Sequence, residues 1–407
     1  MSKEKVGVRK AVIVMGLLNI LVALGFGRFL FSMLVPNIRV YYRLNYTQIG
    51  VLASSLLVGY LVFSYLGGIA LHRFLKNRIT FIALLILSST FAIYSAISNY
   101  IILLTTSFLM GGGAAIVYMS IFPTISERCD KKQYGITMGG VLSGAGIGIL
   151  LVAGIANFYR DSNLLVPYVW KITFYLSVIV VIANVINNKI YNSNGVANNT
   201  SSGFSFYRTT WRKLFGSKIL LSLAIAYFFY GFSYASFLNY IFAYISELDN
   251  GIQSTGINLW MVFGASSIFS SIFWGKMFDR FNQGKVISAN YLITCLAIMM
   301  TLFPSSRTLL VTGTIVFGMC FFGYITMIGG YIIILAGPLS SVYMGKLTLI
   351  HTIGQIIGVS LGGVLRDSTG SFRLVFLLSL IALILSLAFF LLGRKPDPNA
   401  SEKENMI

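Results

Sequence analysis

The sequence is poor in the residues that build most catalytic and metal sites. It carries 11 Asp and Glu against 30 Lys and Arg in 407 residues, with two histidines and three cysteines. The three scattered thiols are too few for a disulfide framework or a metal cluster. Neither His72 nor His351 has a matched acid, so we find no nucleophile and base of an enzyme. We therefore predict a protein that is not an enzyme and that uses no metal and no cofactor.

Charged residues are scarce, while apolar residues are abundant. Apolar side chains make up 57% of the chain, charged ones 10%, and the mean hydropathy is +0.82. Such a chain cannot cover a water-exposed surface with polar groups, so its outside must face lipid. The apolar runs do not alternate as the strands of a membrane barrel do. They predict an all-α integral membrane protein with twelve transmembrane helices, near residues 11–38, 46–71, 79–98, 99–126, 134–158, 164–188, 218–246, 253–278, 286–304, 308–336, 341–365 and 372–393.

Basic residues are divided unequally between the two sides of the predicted membrane. With both termini on one side, 22 Lys and Arg lie on that side and six on the other. An excess of Lys and Arg marks the cytoplasmic side of a membrane protein. We expect a multi-pass protein of the cell membrane with both termini cytoplasmic. Its partner is the lipid bilayer rather than nucleic acid, and the basic face is also suited to anionic lipid headgroups.

One short pattern occurs twice, 207 residues apart. Gly68-Ile-Ala-Leu-His72-Arg73-Phe74 follows the second predicted span, and Gly275-Lys-Met-Phe-Asp279-Arg280-Phe281 follows the eighth. A repeat at about half the chain length indicates two related halves in the same orientation. This is the plan of a carrier that opens alternately to each side of the membrane.

The boundary between the halves is a polar, nearly uncharged stretch after the sixth span. Its small residues have the composition of a flexible tether. We predict an N-terminal six-helix bundle over residues 1–190, a cytoplasmic linker over 191–215, and a C-terminal six-helix bundle over 216–407.

The second copy of the repeated pattern resembles the loop signature of the major facilitator superfamily, G-x-x-x-D-R-x-G-[RK]-[RK], through Gly275, Asp279 and Arg280. The first copy departs from it, since His72 stands where the signature has Asp. The resemblance implies two six-helix bundles around a central cavity, but no particular substrate. More narrowly, the sequence resembles the YbfB/YjiJ-like branch at Gly25-Phe26-Gly27-Arg28-Phe29, Pro36, Tyr46-Thr47-Gln48, Gly50, Ala53-Ser54, Gly59-Tyr60, Gly354-Gln355 and Asp367-Ser-Thr-Gly370-Ser371-Phe372.

The two copies of the pattern predict gating elements at the cytoplasmic side. Asp279, at a helix end, can hold the two halves together through charge and helix-dipole contacts that must break on inward opening. In the first half, the same role falls to Arg73 and Lys76 with Glu127 or Asp130. A solvated loop without a gating role is the alternative, since exposed ion pairs contribute little.

His72 cannot supply a fixed negative charge, so we expect a weaker or pH-sensitive latch in the first half. The predicted gating residues are Gly68, His72, Arg73, Gly275, Asp279 and Arg280.

Carboxylates are absent from the middle of the predicted spans. All eleven acidic residues fall in loops, tails or helix ends. Proton-coupled carriers commonly relay protons through a buried carboxylate, so this type of coupling is disfavoured. The spans instead hold basic or titratable side chains, namely Arg28, Lys346, His351 and Lys171. Lys171 is one or two turns from its helix end, where a lysine extends to the membrane interface.

Arg28 is the strongest candidate for a ligand-binding residue. A lone guanidinium at bilayer depth is costly and is therefore a functional candidate. Arg28 does not recur in the second half, where the 206-residue spacing places Tyr234, and a charge needed only for shared packing would recur. By contrast, a lone His is often a packing residue, and Lys346 is near the end of its span. The predicted substrate-binding residues are Arg28, Lys346, His351, Tyr234, Gln355, Asn19, Tyr60 and Asn239.

These side chains predict a cavity of positive potential that binds a small organic anion. The leading hypothesis is a secondary active transporter that moves this anion by alternating access, as a uniporter or an exchanger. One alternative is an efflux carrier for amphipathic or toxic compounds, because the 14% of aromatic residues can stack on an apolar substrate. An alternative of another class is a membrane-embedded ligand sensor without transport, which needs a larger soluble output domain than the tail and central loop offer.

Overall fold

The structure is a computed structural model that describes residues 3–44, 46–73, 76–130, 133–159, 165–190, 204–248, 253–303 and 307–393. These ranges consist of helices joined by short turns, without a strand. In the first half, α1 (Lys3–Ile20) continues through a π-helix (Leu21–Phe29) into α2 (Leu30–Tyr41), and is followed by α3 (Tyr46–Arg73), α4 (Lys76–Ala96), α5 (Tyr100–Arg128), α6 (Tyr134–Phe158) and α7 (Leu165–Ile190). In the second half, a short helix α8 (Phe204–Gly216) precedes α9 (Lys218–Leu248), α10 (Gln253–Arg280), α11 (Gln283–Thr301), α12 (Arg307–Ala336), α13 (Ser340–Thr369) and α14 (Arg373–Gly393).

Long helices occupy all twelve predicted spans, the first being built by α1, the π-helix and α2. Ten helices in the described ranges are long and apolar enough to cross a membrane, and α3 contains a shorter apolar segment, Val51–Gly67. Helix α10 is less apolar because it carries serines that are buried against other helices rather than exposed to lipid, Ser266, Ser267, Ser270 and Ser271. The predicted all-α membrane architecture is confirmed.

Corresponding helices pack in the same way in the two halves. Helix α6 contacts α1 in the first half, and α13 contacts α9 in the second. Glycines four residues apart line both contacts, where Gly144 lies against the Leu17 carbonyl and Gly354 against the Phe228 carbonyl. Close backbone approach of this kind stabilises helix pairs in lipid, where no hydrophobic effect drives association. These glycines therefore serve packing within each half.

The two halves meet along α6 with α10 and along α3 with α13. Gly139 of α6 lies against the Ser271 carbonyl of α10, and Gly345 of α13 lies close to the Ser64 carbonyl of α3. All four residues are near the side of the molecule on which α1 begins and α14 ends, called the termini side below. The halves are thus closed against each other on the termini side.

The π-helix is an unpredicted feature of the first span. π-Helical turns are rare in proteins, and those that occur are often located at functional sites. This one contains the Gly25-Phe26-Gly27-Arg28 motif and ends one residue after Arg28. A Cβ at Gly25 would lie 2.7 Å from the Gly148 Cα of α6, so only glycine permits this contact.

The linker contains a helix that the sequence analysis missed. Residues 191–203, interpreted as a flexible tether, lie outside the described ranges, whereas α8 is amphipathic. Thr210 and Leu214 are buried, and Trp211 stacks on Phe215 with ring centroids 5.6 Å apart. Both pairs have the i, i+4 spacing of one helix face, which was the available sequence signal.

Replacing a glycine at a close helix contact should destabilise the first half. A Cβ at Gly111 of α5 would overlap the Leu56 carbonyl oxygen of α3, whereas no atom lies within 4 Å of the equivalent position at Gly154. We expect Gly111→Ala to lower the free energy of unfolding by about 1–3 kcal/mol, the usual cost of overpacking. Gly154→Ala should leave it unchanged or higher. Thermal unfolding of the purified protein, followed by tryptophan fluorescence, measures both, and equal midpoints would contradict the close packing of α3 on α5.

Candidate functional site

Arg28 lies at the contact between the two halves. Its Nη2 donates to Tyr234 Oη of α9 at 2.5 Å and to Gln355 Oε1 of α13. Arg28 belongs to the first half and both acceptors belong to the second, so this side chain bridges the halves. Both acceptors are uncharged, and the carboxylates of the described ranges lie only at helix ends. The guanidinium is therefore stabilised by neutral dipoles, without an acid that neutralises it.

Aromatic rings complete the surroundings of the guanidinium. Its Cζ lies 4.5 Å from the ring centroid of Tyr60 and 6.0 Å from that of Phe29. The face of an aromatic ring attracts a cation through its quadrupole. Tyr60, which is 1% exposed, thus stabilises Arg28 without cancelling its charge.

A cavity lies beside Arg28 on the side away from the termini. Its empty volume is about 550 Å³, counted with the space at its mouth. Three of the predicted residues line it together with Arg28, namely Tyr234, Asn239 and Gln355. The remaining walls come from Phe29, Phe31, Ser32, Ala53, Leu56, Leu57, Ala235, Leu238 and Val359.

The apolar walls are the residues that the sequence analysis missed. Leu238 lies four residues after Tyr234, Val359 four after Gln355, and Leu56 four before Tyr60. Residues four apart share one face of a helix. The signal for these walls was therefore the spacing from the polar residues already singled out.

Gln355, which lines the cavity, has an unused donor. The side chain is 1% exposed, its Oε1 accepts from Arg28, and its Nε2 has no hydrogen-bond partner in the described ranges. A buried polar group without a partner costs about 1–3 kcal/mol. The amide is therefore suited to an acceptor that a ligand brings. Asn239 differs, because its Nδ2 donates to the Ala235 carbonyl of its own helix at 2.8 Å.

His351 lies in an aromatic stack behind Tyr234 rather than on the cavity wall. Its ring is 4.0 Å from that of Tyr227 and 5.5 Å from that of Tyr234, at interplanar angles of 11° and 20°. Its Nδ1 lies 2.8 Å from the Tyr227 carbonyl oxygen. A carbonyl only accepts, so Nδ1 must carry the hydrogen. The contacts of His351 are those of a residue that positions Tyr234.

Lys346 is not brought to Arg28, which corrects the expectation that it lines the same site. Its ammonium donates to Thr210 Oγ1 of α8 and lies 4.6 Å from the Trp211 ring centroid. Because Lys346 is only two turns from the start of α13, its side chain reaches the linker helix on the termini side. Its contacts join the linker to the second half.

Asn19 is also separate from the cavity beside Arg28. Its amide pairs reciprocally with that of Asn184 in α7, with N···O distances of 2.7 and 3.3 Å. Both residues line another cavity, inside the first half, together with Lys76 and Glu127. The expectation that Asn19 neighbours Arg28 is corrected, because Asn19 lies more than two turns closer to the termini side along the same span.

Asp279 joins the two halves on the termini side. Its carboxylate accepts from the backbone N–H of Gly135 at 2.9 Å and of Ile136 at 2.8 Å, in the first turn of α6. The first N–H groups of a helix have no partner within the helix, and the helix dipole favours negative charge there. The second copy of the loop pattern thus places a carboxylate from α10 on the start of α6. Gly275, one turn earlier, lies against Gly135.

The first half has a different contact close to its copy of the pattern. Lys76 forms an ion pair with Glu127, as one of the expected pairings, but both residues belong to the first half. Glu127 is 52% exposed, so this pair contributes little to stability. The side chains of His72 and Arg73, and Gly68, lie outside what the structure describes. Arg280 lies over the Phe281 ring, with its Cζ 5.6 Å from the centroid.

Neutralising Asp279 should weaken closure on the termini side. Hydrogen bonds to a charged group are worth roughly 1.5–3 kcal/mol, so Asp279→Asn should shift the protein toward a state that is open there. Met138 of α6 is 0% exposed behind this contact. In a background without native cysteines, we expect a Met138→Cys thiol to react with a membrane-impermeant maleimide roughly tenfold faster once Asp279→Asn is added.

The matched control is Asp130→Asn, which neutralises an exposed acid of the same side. It should leave the labelling rate unchanged. Equal rates with and without Asp279→Asn would show that this carboxylate does not hold the halves together.

Comparisons with known proteins agree with this architecture. Residues 20–391 match the family described as "Uncharacterised MFS-type transporter YbfB". The chain is 24% identical to the hexuronate transporter of Bacillus subtilis (strain 168), over 100% of this chain and 99% of that protein. It shares its fold with the major facilitator superfamily transporter FucP in the outward conformation, with a TM-score of 0.73, 14% identity, and 95% and 99% of the two chains covered. A variant of the E. coli fucose:proton symporter FucP gives a TM-score of 0.70 and 15% identity, over 95% and 98% of the two chains.

The family match extends over nearly the whole chain, and the solved structures have the same helical architecture. The predicted fold, a multi-pass membrane protein of twelve helices in two six-helix bundles, is thereby confirmed. The protein belongs to the MFS-type transporter family represented by YbfB, within the major facilitator superfamily.

Proposed function

We propose that the protein is a secondary carrier that binds a small organic anion at Arg28 and moves it across the cell membrane by alternating access. It acts as a uniporter or an exchanger, and both termini lie in the cytoplasm. The two six-helix bundles, residues 1–190 and 216–407, move as the two units of the cycle.

The unneutralised charge of Arg28 is the observation that carries this proposal. The guanidinium has only neutral acceptors, Tyr234 and Gln355, and it lies beside a cavity. A cation at bilayer depth is costly, and an anion that reaches it by charge-assisted hydrogen bonds offsets that cost. A carboxylate is therefore the ligand group that this site favours over a neutral or cationic one.

The position of Arg28 between the halves supports a role in transport rather than in binding alone. A ligand that accepts from both Arg28 and Gln355 Nε2 contacts the first and the second half at once. Such a ligand has a different interaction energy with each arrangement of the halves. This is the condition for a ligand to shift a conformational equilibrium.

The curated relative supports the anionic substrate class. Its name assigns it to hexuronate, which is a carboxylate. The similarity, 24% identity over the full length, favours this general class of ligand for the present chain without selecting a particular compound.

The steps of the cycle follow from the contacts. The halves are closed on the termini side by Asp279 and by the contact of Gly139 with Ser271, while the cavity lies on the other side of Arg28. With the termini in the cytoplasm, the anion enters from outside and takes over donors of Arg28. Inward opening then breaks the hydrogen bonds of Asp279 to the start of α6.

The titratable groups of the spans favour transport without proton coupling. Acidic residues of the described ranges lie at helix ends, and His351 is buried among aromatic rings with Nδ1 held by a carbonyl. Exchange in preloaded liposomes should therefore persist when a protonophore is added.

Removing the charge of Arg28 should remove anion binding. In a thermal-shift panel of organic carboxylates and their carboxamides, we expect carboxylates alone to raise the unfolding midpoint of the wild-type protein. Arg28→Gln should weaken the binding of those carboxylates by roughly tenfold to a hundredfold, the value of a charge-assisted hydrogen bond. Arg28→Lys should bind with intermediate affinity, because an ammonium lacks the planar fork of donors.

Arg366→Gln is the matched control, since its guanidinium lies over Phe372 near the end of α13 and outside the cavity. It should bind carboxylates as the wild type does. Unchanged affinity in Arg28→Gln, with an unfolding midpoint close to that of the wild type, would remove Arg28 from the site.

A further inference from the structure

We propose that the transported anion is a monocarboxylate with a compact apolar body, rather than a polyhydroxylated sugar acid. The proposal rests on the function proposed for Arg28, and it specifies the chemistry of the part of the substrate that the guanidinium does not contact. The proposed substrate therefore differs in chemistry from the hexuronate named for the relative of this chain.

The cavity accommodates one negative charge. Arg28 is the single charged side chain among the described residues that line it. A second carboxylate would lie against apolar walls without a cation, and desolvating an unpaired charge is prohibitive. A dicarboxylate is therefore excluded by the same reasoning that favours a monocarboxylate.

The walls away from Arg28 are apolar. Leu56 and Leu238 are 4% and 5% exposed, and Leu57 and Val359 extend the same surface along α3 and α13. A ligand hydroxyl against these side chains loses its hydrogen bonds to water and gains none. A methylene or aromatic surface in the same place is stabilised by removal from water.

The polar groups of the cavity are too few for a sugar. Tyr234 Oη accepts from Arg28, and Asn239 Nδ2 donates to the Ala235 carbonyl. With Gln355 Nε2 donating to the anion in the proposed site, the polar groups left for the rest of the ligand are the Tyr234 hydroxyl hydrogen, the remaining amide groups of Asn239 and the Ser32 hydroxyl. A sugar acid carries hydroxyls around its whole ring, and those that face Leu56, Leu57 and Val359 would remain without partners.

Three probes of one ring size test the proposal on the intact, purified protein. Cyclohexanecarboxylate has the charge and the apolar body, glucuronate has the charge on a hydroxylated ring, and cyclohexanecarboxamide has the body without the charge. In a calorimetric titration, we expect cyclohexanecarboxylate to bind at least about tenfold more tightly than either of the others. Its binding should be lost in Arg28→Gln.

A pair of variants isolates the apolar wall. Leu238→Asn places an amide on the wall and should weaken the binding of cyclohexanecarboxylate about tenfold. Leu238→Met keeps the wall apolar and should weaken binding less than Leu238→Asn does, as roughly isosteric swaps are tolerated. The unfolding midpoint without ligand shows that both variants are folded.

The outcomes separate this proposal from the function on which it rests. Tighter binding of glucuronate, still dependent on Arg28, would overturn the apolar body and keep the anion carrier. Equal binding of the carboxamide and the carboxylate would overturn the role of charge, and with it both proposals. Equal affinities in Leu238→Asn and Leu238→Met would also overturn the apolar wall.

The linker helix α8 carries an independent feature, its attachment to α13. Lys346 is 1% exposed, and it donates to Thr210 while its ammonium lies over the Trp211 ring. With Leu214 buried on the same face, α8 is fixed to the second half on the termini side.

The outward faces of α8 are aromatic and basic. Phe215 is 56% exposed beside Trp211, and Arg212 and Lys213 are exposed. No Asp or Glu occurs from residue 162 to residue 246, so this surface is positive without a compensating acid in the linker. Lys and Arg beside Trp and Phe are typical of helices that lie in the interface of an anionic membrane. We infer that α8 docks on anionic phospholipid headgroups of the membrane in which the protein is embedded.

Stability in bilayers of two compositions tests this docking. We expect the unfolding midpoint to be several degrees higher in phosphatidylcholine nanodiscs that contain phosphatidylglycerol than in phosphatidylcholine alone. The difference should be lost in Arg212→Gln/Lys213→Gln. The control Arg128→Gln/Lys276→Gln, which removes two other exposed cations of the termini side, should retain it.

Two results would overturn the docking of α8. One is an equal response of the two double variants to phosphatidylglycerol. The other is an equal stabilisation of the wild type by inorganic phosphate, which would indicate a soluble anion rather than a membrane surface.

Discussion

The hydrogen bonds of Arg28 to Tyr234 and Gln355 are the interaction on which the rest of the site depends. They place a full positive charge between two halves of a membrane protein, where neutral dipoles and the rings of Tyr60 and Phe29 stabilise it. A carboxylate in their place would form a buried ion pair whose attraction only balances its desolvation. Neutral acceptors offset part of the cost of burying the guanidinium, and they leave its charge available to an anion.

The two functions of the contact between the halves are carried by different parts of the chain. Closure on the termini side uses backbone groups, as where Asp279 accepts from the start of α6 and where Gly139 meets Ser271. These contacts depend on the glycines and on Asp279, which belongs to the second copy of the loop pattern. Ligand recognition uses Arg28, which the duplication does not repeat. A carrier built this way can change its ligand without changing the contacts that close it on the termini side.

Much of this architecture could be predicted from the sequence, and the parts that could not have physical reasons. Hydropathy marked the spans because lipid requires long apolar helices, and the 206-residue spacing paired Arg28 with Tyr234 because equivalent helices face each other across the two halves. The faces of Asn19 and Lys346 could not be predicted, because a helix that is apolar all round has no period that distinguishes lipid from interior. Helix α8 was missed because its polar N-terminal neighbours resemble a tether. The π-helix has no sequence period of its own, and its rarity makes it invisible to pattern analysis.

The role of Arg28 is decided by where a carboxylate binds in a structure of the complex. We expect the carboxylate oxygens to lie within hydrogen-bond distance, about 3 Å, of the Arg28 guanidinium and of Gln355 Nε2. The remainder of the ligand should then lie on the wall formed by Leu56, Leu238 and Val359. A carboxylate bound elsewhere, with the hydrogen bonds of Arg28 to Tyr234 and Gln355 intact and no ligand atom near them, would contradict the account.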